Sequence, residues 1–312
     1  MVGGNVDNTM LSETGRVGYL SKHLQPLLFI LVLLTYLIIL LGNGLIITIT
    51  VADWALHTPM YFFLRNLSVL EICYTSVTIP KALSSLLSDQ QNISFMGCAT
   101  QMYFFHLFGS SECFLLAVMS YDRYVAICNP MRYSLIMNRK VTVGLAAVVW
   151  IAGNVVACEQ TVATFKLPFH GPNKISHFFC DVLAVLKLAS ADTSLNDANL
   201  AMLTVVFILF PFLLIIASYV SIISTILKMR SAEGRRKAFS TCSSHLIIVS
   251  LFYGSATITY LIPRSNFSVH IDRALSLFYT VITPMFNPIV YSLRNKDVKE
   301  ALRKFLGRSK IS

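Results

Sequence analysis

The stretch LQPLLFILVLLTYLIILLGNGLIITITVA, Leu24 to Ala52, carries no charged residue over more than the roughly 20 positions a helix needs to cross about 30 Å of hydrocarbon. A run of that length, apolar on every face, reads as a membrane span. Ala198 to Leu227 repeats the pattern, again without a charge. Pro59 to Leu87, Cys98 to Tyr121, Val141 to Cys158, Ala238 to Pro263 and Ala274 to Leu293 extend it, interrupted only by Arg65, Glu71, Lys81 and Glu112. These runs predict an all-α membrane protein, a seven-transmembrane helix bundle, because in lipid each backbone amide must be satisfied within its own segment. The first 23 residues are polar, and the run after them is too long for the apolar centre of a cleaved leader. The first span is therefore expected to act as a signal anchor.

Composition agrees: 55% of the 312 residues are hydrophobic and 13% charged, against about 25% charged in soluble chains. A soluble enzyme is disfavoured. A net charge of +10 suits a nucleic-acid binder only if the basic residues gather beside a polar fold. Here they sort by side. With the amino terminus outside, the inner face holds 17 Lys and Arg and the outer face eight, which leaves +12 inside, 0 outside and −2 within the spans. Cytoplasmic loops hold that excess. The organisation is an extracellular segment over 1–23, a membrane domain over 24–293 and a cytoplasmic tail over 294–312. Within the tail, Val298, Ala301, Leu302, Phe305 and Leu306 fall on one face of a short amphipathic eighth helix from Asn295 to Leu306. No Cys follows it, so no palmitoyl anchor is expected there. No internal repeat is apparent, which weakens a solenoid or inverted-repeat transporter. The longest outer connection, Thr161 to Asp197, contains Pro168, Gly171 and Pro172 and should be an ordered surface loop.

Three motifs lie on the spans. Gly42-Asn43-Gly44 places an amide in the first, where it must find hydrogen bonds on neighbouring helices. Met119 to Cys128 ends the third with Asp122-Arg123-Tyr124 at the inner boundary. In the seventh, Pro284 and Pro288 remove helix hydrogen bonds around Asn287, in the run Pro284 to Tyr291. Together they resemble the rhodopsin-like (class A) G-protein-coupled receptors over nearly the whole chain. Leu56 to Leu64 (LHTPMYFFL), Met119 to Cys128, Lys237 to Leu246 (KAFSTCSSHL) and Pro284 to Tyr291 are similar to the hallmark segments of odorant receptors. His177 to Asp181 (HFFCD) resembles their tetrapod, class II branch.

The resemblance implies a disulfide between Cys98 and Cys180 that ties the second outer loop over the bundle. The other five cysteines read as small packing residues, with no metal-ligand spacing. Two departures stand out. The further loop cysteines usual in such receptors read His170 and Ser190, and the amino-terminal segment lacks a glycosylation sequon. Asn92 and Asn266 carry one on the outer side.

The resemblance also assigns roles. Asp122, Arg123 and Tyr124 would form an activation switch, Arg123 pairing with Asp122 at rest. Tyr219, Asn287, Pro288 and Tyr291 would reorganise with it. Glu71 and Glu112 are the only acids deep in the spans, and an intramembrane acid is a functional candidate by default. Near Asn43 and Asn287 they suggest a shared sodium ion or proton, against the alternative of protonated, hydrogen-bonded carboxyls; no other cofactor and no metal centre is implied. The ligand site maps to Phe105, His106, Gly109 and Ser110 in the third span and Thr204 and Phe207 in the fifth. It continues with Tyr253, Ala256, Thr257 and Tyr260 in the sixth and Leu277 and Thr280 in the seventh. A mainly apolar wall with scattered hydroxyls suits a small volatile odorant. Phe105 stands where amine receptors place an Asp, which argues against an amine ligand. The implied partners are such an odorant, a stimulatory heterotrimeric G protein that raises cAMP, and membrane lipid, but no nucleic acid. The implied place is the plasma membrane of olfactory sensory cilia. Rival readings are weaker. A channel has only Glu71 and Glu112 for a polar path, a retinal pigment needs a seventh-span Lys that Ala274 to Leu293 lacks, and no catalytic motif of an enzyme appears.

Overall fold

A computed structural model describes residues 11–13, 25–87, 92–169, 174–175, 179–261, 278–294 and 296–308. Seven long helical segments run through the described residues: α1 Gln25–Ala52, α2 Pro59–Leu87, α3 Phe95–Cys128, α4 Arg139–Phe165, α5 Ser194–Lys228, α6 Ala232–Leu261 and α7 Thr283–Arg294. The short α8, Lys296–Arg308, follows. By length and composition α1, α3, α4 and α5 can each cross a membrane; shorter apolar stretches cover His245–Ile258 and Thr280–Val290. Fold class is as the apolar runs predict.

The helix starts are chemically marked. Ser94 accepts from Gly97 N at 3.0 Å ahead of α3, and Asn138 accepts from Val141 N at 3.1 Å ahead of α4. Both are N-caps that satisfy an orphan amide. Among the described residues two spans depart from regular helix. Val205–Leu209 in α5 and Phe278–Ile282 before α7 are π-turns, and a proline follows each, Pro211 and Pro284. A widened turn accommodates a ring that cannot donate. α3 runs seven residues past the predicted end at Tyr121. The Asp122-Arg123 charges mark the edge of the apolar zone and do not stop the helix.

α3 is the central post. In its most apolar window 61% of residues are buried, against 17% in α1, so α1 turns most of its surface outward. α4 approaches α3 at Gly153, where an added Cβ would lie 2.6 Å from Leu107 O. At Gly42 on α1 a Cβ would meet Pro288 of α7 at 2.8 Å. Only glycine permits these two approaches. α8 is tied to the helix ends: Tyr61 Oη donates to Asp297 Oδ2 at 2.9 Å, and Lys304 Nζ lies 3.7 Å from Asp53.

Small strands interrupt the all-helical expectation. β1 (Leu11–Glu13) lies between β2 (Asn92–Ile93) and β3 (Lys174–Ile175), antiparallel to the first and parallel to the second. The polar amino-terminal segment thus stitches the α2–α3 connection to the long α4–α5 loop. That loop also folds a helical turn, Val182–Leu186.

Candidate functional site

At the end of the bundle that carries the long loop, Cys98 and Cys180 form a disulfide with a Cα separation of 5.4 Å. Gln101 Oε1 accepts from Cys180 N at 2.9 Å. The covalent and hydrogen bonds fix the backbone beside Phe179, which is fully buried with its ring centroid 4.8 Å from that of Phe105. Phe105 in turn packs on Tyr74 at 5.1 Å. The loop is anchored as a lid over α3.

Beside this aromatic cluster a cleft holds about 680 Å³ of empty space, its open mouth included. Phe105, His106, Gly109, Ser110, Thr204, Phe207 and Ala256 line it. Tyr74, Cys113, Val156, Gln160, Leu200, Leu203, Ile208 and Phe252 complete the wall and were not anticipated. Gln160, an amide at the end of the apolar α4 run, was a legible signal. Tyr253, Thr257 and Thr280 are not among the lining residues. Tyr253 is fully buried, donates to Cys113 O at 2.7 Å and stacks on Phe212 at 5.3 Å, so it joins α6 to α3 and α5. Thr280 is buried and Thr257 half-buried. The side chain of Tyr260, Leu277 and the Asn266 sequon lie outside the described residues.

Most polar groups of the wall are bound near their own position. Thr204 Oγ1 donates to Leu200 O at 2.8 Å, and His106 Nδ1 lies 2.9 Å from Met102 O. Gln160 Nε2 donates to Glu159 Oε2 at 3.1 Å, and Asn199 Nδ2 to Glu159 Oε1 at 2.5 Å.

A polar core holds the two deep acids. Asn287 Nδ2 donates to Glu71 Oε1, and Glu112 is a near neighbour of Glu71. Glu71 Oε2, Glu112 Oε1 and Asn287 Oδ1 are buried without a partner among the described residues. Asn43 is equally buried and bonds its own helix, Nδ2 to Ile39 O at 3.1 Å, with its Oδ1 unpaired. Among the described residues no group of three His, Cys, Asp or Glu offers a metal site.

At the opposite end the expected Asp122–Arg123 pair is not formed. Neighbours in a helix do not face each other. Asp122 accepts from Tyr133 Oη at 2.8 Å, and Arg123 Nη2 meets Met60 Sδ, within the LHTPMYFFL segment. Burial and the adjacent Asp122 carboxylate push the Tyr133 phenol above its ordinary range, which keeps it a donor. Tyr124 is half-buried and stacks on Tyr121 at 6.4 Å. Tyr219 Oη lies 2.8 Å from His245 Nδ1 with the rings stacked, a link between α5 and α6. His245 lies in the KAFSTCSSHL segment, and nothing in its sequence neighbourhood signals this link. Pro288 packs on the Gly42 backbone, whereas the Tyr291 side chain and the side chain of Asn92 lie outside the described residues.

A family model described as "Olfactory receptor" matches residues 32–309. Olfactory receptor 10A7 of Homo sapiens is 54% identical over 299 residues, covering 96% of this chain and 95% of its own length. Olfactory receptor 10P1 of Homo sapiens is 51% identical over 314 residues and covers 100% of both. Among solved structures, squid rhodopsin superposes with a TM-score of 0.69 at 18% identity, over 93% of this chain and 87% of its own. That likeness concerns the fold.

Proposed function

Because this chain belongs to the olfactory receptor family, whose members are multi-pass plasma-membrane receptors coupled to G proteins, we propose that the cleft under Phe179 is its odorant site. It is a signalling receptor, not an enzyme. The observation that carries the proposal is the apolar wall of the cleft. Aromatic and aliphatic side chains from five helices converge there, beside the loop held by Cys98–Cys180 and Gln101. Such a wall binds a small volatile by dispersion and burial, and a few polar groups orient it.

In this reading the amino terminus and lid face outside, the Arg123 end faces the cytoplasm, and the receptor works in olfactory sensory cilia. The basic inner surface, including Lys228, Arg230, Arg235 and Arg236, meets lipid headgroups and a stimulatory G protein. A ligand shifts the receptor only through differential affinity for its two states. The wall includes Phe252 and Ala256 of α6, so filling the cleft bears on that helix. Movement of α6 then breaks Tyr219–His245 and frees Arg123 from Met60 to face the G protein. The unpartnered oxygens of Glu71, Glu112 and Asn287 fit a hard cation, which takes oxygen ligands. They fit equally a proton shared between the two carboxyls, since adjacent carboxylates resist joint ionisation. Asn92, and Asn266 beyond the described residues, are the proposed glycan sites.

The test is a cAMP reporter cell given a panel of volatile alcohols, acids, aldehydes and ketones. Some members are expected to raise cAMP. Arg123→Ala should abolish the response while surface labelling persists. Ligand-gated current in cells lacking G proteins, with no cAMP response, would sink the reading.

A further inference from the structure

The polar atoms that the cleft offers are biased in one direction. A carbonyl oxygen only accepts, so the contact with Met102 O places a hydrogen on His106 Nδ1. In a neutral imidazole the other nitrogen, Nε2, is then an acceptor. It has no partner among the described residues. Thr204 spends its one hydroxyl hydrogen on Leu200 O and presents only lone pairs. The Glu159 carboxylate likewise only accepts, so Gln160 turns its nitrogen to Oε2 and leaves its own Oε1 over. Asn199 occupies the second Glu159 oxygen, so flipping the Gln160 amide would set two oxygens against each other. Three helices, α3, α4 and α5, therefore each bring an acceptor to this wall. Ser110 and Tyr74 add hydroxyls that serve either way.

We infer that the cleft selects a ligand that donates a hydrogen bond: a volatile alcohol or phenol, its hydroxyl on His106 Nε2 and its carbon skeleton against Phe105, Phe207 and Phe252. This rests on the cleft being the odorant site. An aldehyde, ketone or ether brings lone pairs to lone pairs and leaves buried acceptors unpaired, which is costly. Dispersion with the aromatic wall is common to all these ligands and does not discriminate among them. The acceptors set the class, and the wall sets the size.

Matched probes on one carbon skeleton test this. Straight-chain alcohols from butanol to decanol are compared with the isomeric methyl ethers and with the aldehydes and carboxylic acids of equal chain length, and 4-methylphenol with 4-methylanisole. On the native receptor the best alcohol or phenol should act at a concentration about tenfold below its ether and aldehyde. His106→Leu should collapse that ratio to under about threefold, while His106→Gln, which restores an acceptor, should retain most of it. Surface labelling normalises each variant. If His106→Leu fails to reach the surface, Thr204→Val replaces it and should narrow the same ratio. An aldehyde or ether more potent than the alcohol overturns the inference and leaves the odorant reading standing. So does a carboxylic acid, which would mean a charged His106. An alcohol preference undiminished in both variants overturns the role of these acceptors. A receptor present at the surface and silent to every probe, and to the wider panel of volatiles, overturns both.

Discussion

Around the cleft, Thr204 and His106 bond backbone oxygens four residues back in their own helices. Elsewhere in the bundle, Tyr219 reaches His245, Tyr253 reaches Cys113, Asn287 reaches Glu71 and Tyr61 reaches Asp297, each crossing between helices. Much of the cleft wall is thus satisfied without a neighbour's help and can be empty or filled at little internal cost. Away from the cleft, these four side-chain bonds couple one helix to another, so a helix movement there must break specific bonds. The difference separates a region built to accept a guest from a region built to transmit.

The largest expected effect breaks the coupled region at its centre. Glu71→Leu removes the acceptor of Asn287 and strands Glu112, and should destabilise the detergent-solubilised receptor by about 3 kcal/mol or more. Adding Glu112→Leu to it should cost less than the sum of the two single changes, because the second leucine removes a group the first had left unpaired. Additive losses in thermal unfolding would mean that the two carboxyls do not act as a unit. Next comes the one covalent tie on the receiving side. Cys98→Ser opens the link across an 82-residue separation and should cost about 2–4 kcal/mol. Cys98→Ser with Cys180→Ser should behave like either alone, read as the fraction of receptor delivered to the surface. A third change acts on the scaffold between the regions. Gly153→Ala forces a methyl toward Leu107 O and should cost about 1–3 kcal/mol by spreading α4 from α3.

The two regions were not equally legible in the sequence. Spans declare themselves because hydrocarbon excludes charge over a fixed length, and the runs beginning at Leu24 and Ala198 needed nothing else. The end of α3 did not, because Asp122 and Arg123 mark where water begins rather than where the helix stops. The β1 strand was hidden because its pairing edges lie about 80 and 160 residues away. In the cleft, resemblance pointed to four α3 positions, two on α5 and Ala256 on α6, and missed Cys113, Leu200, Leu203 and Ile208 on the same α3 and α5 and Tyr74, Val156 and Gln160, which α2 and α4 bring in only once the bundle is packed. The coupled region was recognised by residue type, but its partners were not. Asp122 bonds Tyr133 rather than the adjacent Arg123, and the Tyr219–His245 link joins residues whose spacing carries no local signal.

The smallest effect is the sharpest test, because it deletes one hydroxyl from each region and changes little else. Thr204→Val keeps the shape of its side chain and removes a bond internal to α5. Leu200 O keeps its place in the helix, so the empty receptor should lose under about 0.5 kcal/mol. Tyr219→Phe keeps its ring stacked on His245 and removes a bond between α5 and α6. Removing the hydroxyl leaves the buried His245 Nδ1 without the phenol, at about 1 kcal/mol or more. The signalling consequence should diverge further than the stability does. A weaker α5–α6 tie lowers the cost of moving α6, so Tyr219→Phe should alter ligand-free cAMP per surface receptor, whereas Thr204→Val should leave it unchanged and shift only the concentration at which alcohols act. Equal effects of the two changes on ligand-free signalling would erase the distinction between a receiving and a transmitting region.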